Sequence, residues 1–295
     1  MPATDPTPDP IEPMELGSLT VRLVRDGTFG LDGGAMFGVV PKTLWERAKP
    51  ADEENRIEMV TNCPLIERGD DLVLIDTGVG DKGDEKFRRI FKIADDRETL
   101  PESIRRAGYE TGDVTHVLLS HLHFDHSGWN TREAGGRFVP TFPNARYWIE
   151  RGEAEHARDP NPRDRASYDS RNLEPLLDAG MVELFDEEAE PVPGVHAVKA
   201  PGHNRDMCVV LLDGGGEDDK AIFLADLVPT RAHVPTPWVM GYDLYPVTTM
   251  ENKEHWLGGD HRAGWLCNFE HEADRPLARL RETKPGRYEA VPIAG

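Results

Sequence analysis

The sequence contains few cysteines, and they are widely separated. Cys63, Cys208 and Cys267 are the only three in 295 residues, so neither a disulfide framework nor a Cys-x-x-Cys zinc site is expected. Each of the three lies in or beside an apolar run, which favours a buried, reduced thiol.

Long apolar runs and an excess of basic residues are also absent. No stretch approaches the roughly 20 apolar residues that a membrane-spanning helix requires. The 34 basic residues face 54 acidic ones, and the resulting net charge of −20 opposes binding to nucleic acid and to anionic membrane surfaces. Residues 1–15 are acidic and proline-rich, without the basic and apolar regions of a signal peptide. We therefore expect a cytoplasmic protein with a disordered tail over 1–15 and one domain over 16–295.

Strand-like and helix-like segments are interspersed through the rest of the chain. Short apolar or alternating runs predict strands near residues 19–27, 72–76 and 146–149, and helical patterning follows at 83–91 and 100–107. This mixture predicts a layered α/β domain.

Two kinds of segment are predicted to lie on the surface. The glycine-rich stretch Gly30–Pro41 is predicted to be a hairpin or loop that exposes Met36 and Phe37. The acidic runs at 186–190 and 216–219 are predicted to be solvated turns.

The densest chemistry lies in VLLSHLHFDHSGWN, residues 117–130. His121, His123, Asp125 and His126 fall within six residues, directly after a short apolar run. In extended backbone, His121 and His123 point the same way and can bind one ion, whereas Asp125 and His126 follow at a turn and can face an adjacent position. A polar loop with Asp125 as a helix N-cap is the alternative interpretation. Imidazole and carboxylate ligands suit zinc, iron or manganese.

The stretch resembles the His-x-His-x-Asp-His loop of the metallo-β-lactamase-fold hydrolases. The later motifs of that family occur here in the same order, as APGH with His203, FLADLVPT with Asp226 and NFEHE with His271. LIDTG places Asp76 where the family has a buried carboxylate that supports the metal loop. The resemblance extends from about Leu19 to the C-terminus, and it implies an α/β fold with a four-layer αββα sandwich.

The resemblance also implies a dinuclear metal centre with seven protein ligands. The first ion would be held by three imidazoles: His121, His123 and His203. The second ion would be held by Asp125, His126 and His271. Asp226 would bridge both ions, together with a hydroxide that acts as the nucleophile. Zinc is the expected metal, with iron, manganese and cobalt as alternatives, and Asp125 and Asp226 are the expected catalytic carboxylates.

Segments outside the ligand motifs indicate which members of the family the chain resembles most. GGAMFGVVP, PTFPNARYWI, RASY and YDLYPVTT make the chain most similar to quorum-quenching lactonases and methyl parathion hydrolases. This implies hydrolysis of a small lactone or carboxylic ester, with a phosphotriester as the alternative substrate and an iron-dependent persulfide dioxygenase as a less favoured alternative. A homodimer is also implied. The third motif departs from the lactonase pattern, because Asn204 and Met207 replace its threonine and second histidine.

Side chains near the ligand motifs are candidates for the substrate pocket. Apolar and aromatic residues are the usual lining of such pockets, although ordinary core packing is the alternative for each of them. The candidates are Met36, Phe37, Phe124, Trp129, Trp238, Met240, Tyr242 and His233. Tyr242 is the expected hydrogen-bond donor to a substrate oxygen, with Tyr245 as the alternative.

Overall fold

The computed structural model describes residues 12–258 and 264–293, which contain sixteen strands and eight α-helices. The strands are β1 (Met14–Leu16), β2 (Leu19–Asp32), β3 (Arg56–Arg68), β4 (Asp71–Ile75), β5 (His116–Leu118), β6 (Thr131–Ala134), β7 (Arg137–Pro140), β8 (Arg146–Glu150), β9 (Val182–Phe185), β10 (Glu188–Val192), β11 (Val195–Lys199), β12 (Cys208–Asp213), β13 (Lys220–Phe223), β14 (Leu266–Asn268), β15 (Leu277–Lys284) and β16 (Arg287–Pro292). The helices are α1 (Gly33–Phe37), α2 (Lys42–Trp45), α3 (Glu85–Ile90), α4 (Leu100–Arg106), α5 (Phe124–Ser127), α6 (Arg151–Arg158), α7 (Glu174–Asp178) and α8 (Pro246–Leu257). Among these described helices, none is long and apolar enough to span a bilayer.

The strands form two seven-stranded sheets and a separate hairpin of β6 and β7. The first sheet has the order β1-β2-β3-β4-β5-β8-β9, and its last four strands run parallel. The second has the order β10-β11-β12-β13-β14-β15-β16, in which only β13 and β14 pair in parallel within the described chain. Parallel neighbours place the carboxyl ends of their strands on one edge of the sheet, and this edge carries the candidate site.

The two sheets pack face to face, and helices cover their outer faces. One buried cluster joins Leu19 and Leu118 of the first sheet to Val210 and Phe223 of the second, and α8 adds Leu257. A second cluster packs helices against the outer face of the first sheet, through residues that include Leu100, Ile104, Ala154, Leu176 and Tyr147. The predicted four-layer αββα sandwich is confirmed.

Two local predictions differ from the structure. β2 continues through Gly30 to Asp32, because its backbone pairs with β3 as far as Arg56. The Asp32 side chain then accepts a hydrogen bond from the Ala35 amide and caps α1, so Met36 and Phe37 are 1% and 0% exposed rather than on the surface. The acidic run at 186–190 is only partly a turn, since β10 begins at residue 188 and pairs with β11.

The chain's amino-terminal part and its cysteines can also be compared with expectation. β1 begins at Met14, so the last two residues of the predicted tail, Met14 and Glu15, pair with β2. Residues 1–11 of that tail lie outside the described residues. All three cysteines are buried and unpaired, as predicted.

Candidate metal centre

The seven candidate ligands lie at strand ends where the two sheets meet. The loop with His121 and His123 follows β5, and the loop with His203 follows β11. Asp226 follows β13 and His271 follows β14, which is its parallel neighbour. Residues more than 100 positions apart are therefore brought together by sheet topology.

Three imidazoles form the first ligand group. Nδ1 of His123 lies 3.0 Å from Nε2 of His203, and the ring of His121 lies 4.5 Å from that of His123, centroid to centroid. Two facing ring nitrogens at this distance must share a proton or a cation, because their lone pairs repel. The group fits the first ion of the dinuclear arrangement.

The second group consists of Asp125, His126 and His271. Nε2 of His126 lies 3.9 Å from Oδ1 of Asp125, and Nε2 of His271 lies 3.8 Å from its Oδ2. The ligand atoms within each group are all within 4.8 Å of one another.

Asp226 lies between the two groups. Its Oδ2 is 3.2 Å from Nε2 of His203 and 3.7 Å from Nε2 of His126, while its Oδ1 is 3.0 Å from Nε2 of His271. Zinc–nitrogen bonds of about 2.0–2.1 Å give tetrahedral edges of about 3.3 Å. The observed spacing between donor atoms therefore suits ions bound on either side of this carboxylate.

The hydrogen bonding of the imidazoles supports the same conclusion. Nε2 of His121, His126 and His271 is buried and makes no hydrogen bond of acceptable geometry to the described chain. The other ring nitrogen is bound by the protein in two of the ligands. Nδ1 of His271 donates to the Val60 carbonyl at 2.9 Å, and Nδ1 of His203 lies 3.1 Å from Oδ1 of Asp243. Buried polar atoms without partners are costly, and metal-binding histidines characteristically have their other nitrogen held by the protein. The residues present thus fit a pair of divalent ions.

The pKa shifts separate the ligands into neutral and charged groups. Burial and the neighbouring imidazoles hold the pKa of His121 well below its usual range, so its lone pair is free for a metal. Burial lowers the pKa of His271, but the Asp226 carboxylate outweighs burial and raises it to about 9. Burial raises the pKa of Asp226, but His203 and His271 outweigh it and hold the pKa well below its usual value. Asp226 is therefore ionised, and the imidazoles of His203 and His271 lie beside its carboxylate.

Asp76 stabilises the loop that carries the candidate ligands from His121 to His126. It is fully buried, and it accepts hydrogen bonds from the Ser120 amide at 2.7 Å and the Ser120 hydroxyl at 2.6 Å. Its Oδ2 lies 3.0 Å from Nδ1 of His126. Asp76 has φ +55° and Ala225 has φ +44°, a left-handed conformation that costs non-glycine residues roughly 1–2 kcal/mol. Strain of this kind is concentrated at functional sites, and here it lies beside His126 and Asp226.

Two carboxylates that contact the candidate histidine ligands were not predicted from the sequence. Asp243 holds His203, as described above. Glu270 is fully buried, and its Oε2 lies 3.0 Å from Nδ1 of His126; burial raises its pKa to about 8. No regular spacing in the sequence links either carboxylate to the histidine that it contacts. Only the position of Glu270 beside His271 offered a signal.

A cavity of about 330 Å³ opens directly onto the candidate ligands. His123, Asp125, His203, Asp226 and His271 line its floor. Its apolar wall consists of Leu31, Met36, Phe91, Phe124, Met240 and Tyr242. The segment of Arg163, Asp164, Ala166 and Ser167 also lines the cavity, and we call it the polar wall. Of the predicted pocket residues, Met36, Phe124, Met240 and Tyr242 are therefore part of this lining.

The other predicted pocket residues do not line this cavity. Trp129 is 6% exposed, and its Nε1 donates to Oδ1 of Asp26 at 2.6 Å. The Phe37 ring is stacked between Trp45 and His233, and Trp238 packs edge-on against it. Phe37 and Trp238 pack in the same apolar cluster as Met36 and Met240, whereas Trp129 packs in the cluster on the outer face of the first sheet.

The fold and the site together define a class. This is an αββα sandwich with a two-group histidine and aspartate site at the strand ends. The chain belongs to the metallo-β-lactamase superfamily, whose family model matches residues 56–258.

Individual relatives are distant. A probable metallo-hydrolase of Mycobacterium bovis is 31% identical over 179 residues, covering 54% of this chain and 54% of that protein. The N-acyl homoserine lactonase of Bacillus cereus is 27% identical over 159 residues, covering 51% of this chain and 57% of the lactonase. The chain thus spans about half the length of the curated relatives that it matches.

Solved structures resemble the chain over nearly its whole length. A probable metal-dependent hydrolase from Staphylococcus aureus has a TM-score of 0.82 and 27% identity, covering 96% of this chain and 100% of that chain. The dizinc quorum-quenching lactonase AidC, in complex with a product, has a TM-score of 0.76 and 20% identity, with 96% and 97% covered. The second likeness concerns the fold alone.

Proposed function

We propose that the protein is a dinuclear metal-dependent hydrolase of lactones or carboxylic esters. The convergence of seven histidine and aspartate side chains, five of which line the floor of an apolar cavity, carries this proposal. The names of the relatives, metallo-hydrolase and N-acyl homoserine lactonase, support it. When bound, two divalent ions, expected to be zinc, supply Lewis-acid polarisation of a substrate oxygen and a hydroxide nucleophile at neutral pH.

The protein's own contribution begins with the ligand framework. The first group would consist of His121, His123 and His203, and the second of Asp125, His126 and His271, with Asp226 shared. Asp125 and Asp226 also line the cavity, where either carboxylate can accept the proton released during hydrolysis.

The cavity favours a substrate with an apolar portion. Leu31, Met36, Phe91, Phe124 and Met240 surround the space above the ligands, and burying apolar surface there contributes about 25 cal/mol per Å². A neutral ester or lactone with an aliphatic or aromatic chain satisfies this wall better than a polyanion does.

Tyr242 would assist as a hydrogen-bond donor. It lines the cavity and is 38% exposed. Burial and the nearby Asp125 raise the pKa of its phenol to about 12, so it stays protonated near neutral pH. A protonated phenol can donate a hydrogen bond to the carbonyl or leaving-group oxygen of the substrate, which stabilises charge that develops there.

A substrate panel on metal-analysed protein tests the proposal. The panel contains lactones and aryl esters of increasing chain length, phosphotriesters and a persulfide. The proposal expects two zinc ions per chain and hydrolysis of lactones or esters. Preference for phosphotriesters would reassign the substrate class, while one iron per chain with oxygen consumption on the persulfide would refute the proposal.

A further inference from the structure

A buried carboxylate connects the two loops that carry the first ligand group. Glu153 lies in α6, outside every ligand motif, and is 1% exposed. Its Oε1 accepts a hydrogen bond from the Leu122 amide at 2.8 Å, and its Oε2 accepts one from Nδ2 of Asn204 at 2.9 Å. Leu122 lies between His121 and His123, and Asn204 directly follows His203. One carboxylate thus binds the backbone amide between two candidate ligands and the side chain of the residue that follows a third.

Tyr168 adds a third connection. Its hydroxyl donates to Oε1 of Glu153 at 3.1 Å. Its ring packs edge-on against His123 with a centroid distance of 4.8 Å, and its backbone forms an isolated bridge with that of His123. Tyr168 directly follows the segment that forms the polar wall of the cavity. The network therefore joins this wall, the His123 loop and the His203 loop.

Asn204 has the donor and acceptor arrangement that this network requires. Its Nδ2 donates to Glu153, while its Oδ1 accepts from the Asp206 amide at 3.0 Å. The side chain thereby fixes the turn that follows His203, and the lactonase-type threonine and second histidine are absent here. The motif thus departs from the lactonase pattern, and the hydrogen bonds of Asn204 support the turn after His203 instead.

We propose that Glu153 is a positioning residue for the first ligand group, which sets the separation of His123 and His203 through Leu122, Tyr168 and Asn204. The proposal rests on the proposed metal centre. Residues that orient metal ligands typically change metal affinity by about 10–100-fold when they are mutated. A role confined to anchoring α6 would lower stability but leave zinc affinity unchanged.

The decisive experiment exchanges donor and acceptor between Glu153 and Asn204. In Glu153→Gln, the new amide can face Nδ2 of Asn204, so that two donors meet. In Asn204→Asp, two carboxylates meet instead. The double variant restores one donor opposite one acceptor, with a glutamine amide facing an aspartate. Glu155→Gln is the matched control, because Glu155 is an exposed residue of the same helix.

Zinc dissociation constants are measured on the full chain by competition with a chromophoric chelator, and the unfolding temperature is measured without metal. Each single variant is expected to raise the dissociation constant of one zinc ion by about 10–100-fold. The double variant should recover most of this lost affinity, and the control should match wild type. Wild-type zinc affinity in both single variants would overturn the proposal, as would a double variant that only adds the two losses.

Two further outcomes keep the test decisive. If Glu153→Gln fails to fold, Tyr168→Phe removes a single donor and should weaken zinc binding by a smaller factor; unchanged affinity there would also overturn the proposal. The readout does not depend on turnover. A wild type that binds zinc but hydrolyses nothing in the panel would refute the proposed activity, while the affinity comparison would still decide the role of Glu153.

Discussion

Oδ1 of Asp226 lies 3.0 Å from Nε2 of His271, and the other oxygen of the same carboxylate faces His203 at 3.2 Å. His271 belongs to the second ligand group and His203 to the first. The two oxygens of the Asp226 carboxylate thus lie within 3.2 Å of nitrogens in different groups, and the loss of its charge should affect both ions.

The first prediction concerns Asp226→Asn, which replaces the carboxylate by a neutral amide. Zinc content after gel filtration should fall below two per chain, and kcat/KM should fall by more than about 100-fold, beyond the range typical of outer ligand contacts. Asp243→Asn is the control, because Asp243 contacts only the outer nitrogen of His203 among the candidate ligands. That variant should still take up two zinc ions at saturation. If Asp226→Asn bound zinc with wild-type affinity, Asp226 would not be a ligand shared by both ions.

The second prediction separates a cavity residue from a supporting one. Phe124 lines the cavity, so Phe124→Ala should raise KM for long-chain esters by about tenfold, because roughly 1–2 kcal/mol of apolar burial is lost. Trp129→Phe should leave KM unchanged, but it should lower the free energy of unfolding by about 1–3 kcal/mol, since the Asp26 carboxylate loses a buried donor. Steady-state kinetics and urea unfolding check both variants. The opposite pattern would place Trp129 in the pocket.

The third prediction concerns Asp26 as a structural anchor. Its buried carboxylate accepts from Arg97 at 2.7 Å, from Nε1 of Trp129 and from the Leu100 amide at 2.9 Å. Asp26→Ala leaves the Arg97 guanidinium buried without its partner, which should cost about 3–5 kcal/mol. Thermal unfolding should show a fall in Tm on the order of 10 °C. Asp95→Ala breaks an exposed pair with Arg88 and should leave Tm nearly unchanged; equal falls in the two variants would contradict this role.

The fourth prediction concerns the pH dependence of stability through His233. Nε2 of His233 donates to the Met36 carbonyl at 2.9 Å, and Nδ1 lies 2.8 Å from the Thr230 hydroxyl, so the neutral ring satisfies both nitrogens. Burial lowers its pKa to about 3, and nearby Lys253 adds to this effect. The unfolded chain therefore binds more protons than the folded chain between about pH 3 and 6.5. The contribution of His233 is complete above pH 6.5 and is lost as the pH falls toward 3.

His233→Gln removes this titration. In metal-free buffer, the difference in unfolding free energy between wild type and variant should fall with decreasing pH, by up to about 1.4 kcal/mol per pH unit within the window. Chemical unfolding at several pH values measures the difference. Parallel curves for the two proteins would show that His233 does not titrate in this way.

The ligand motifs were accessible from sequence for a physical reason. Histidine and carboxylate side chains are common metal ligands, and a short loop after a strand can carry several of them in a fixed spacing. His121 and His126 could therefore be predicted directly, and the order of motifs added His203, Asp226 and His271. The layered fold followed from the mixture of strand and helix patterns.

The surroundings of the site were less accessible, because they depend on contacts between distant segments. Phe37 and Trp129 look like pocket residues from their neighbours in sequence, yet both are covered by other parts of the chain. Glu153 and Asp243 contact the ligand loops from segments outside the ligand motifs. Gly30 reads as a loop residue, but pairing of β2 with β3 overrides its local preference.

The most direct test of the account is a zinc titration of metal-free protein, with bound zinc and hydrolysis of a medium-chain lactone followed together. The account predicts activity that rises to a plateau at two zinc ions per chain and is absent from Asp226→Asn at the same zinc concentration. A plateau at one ion per chain, or full activity without added metal, would contradict it.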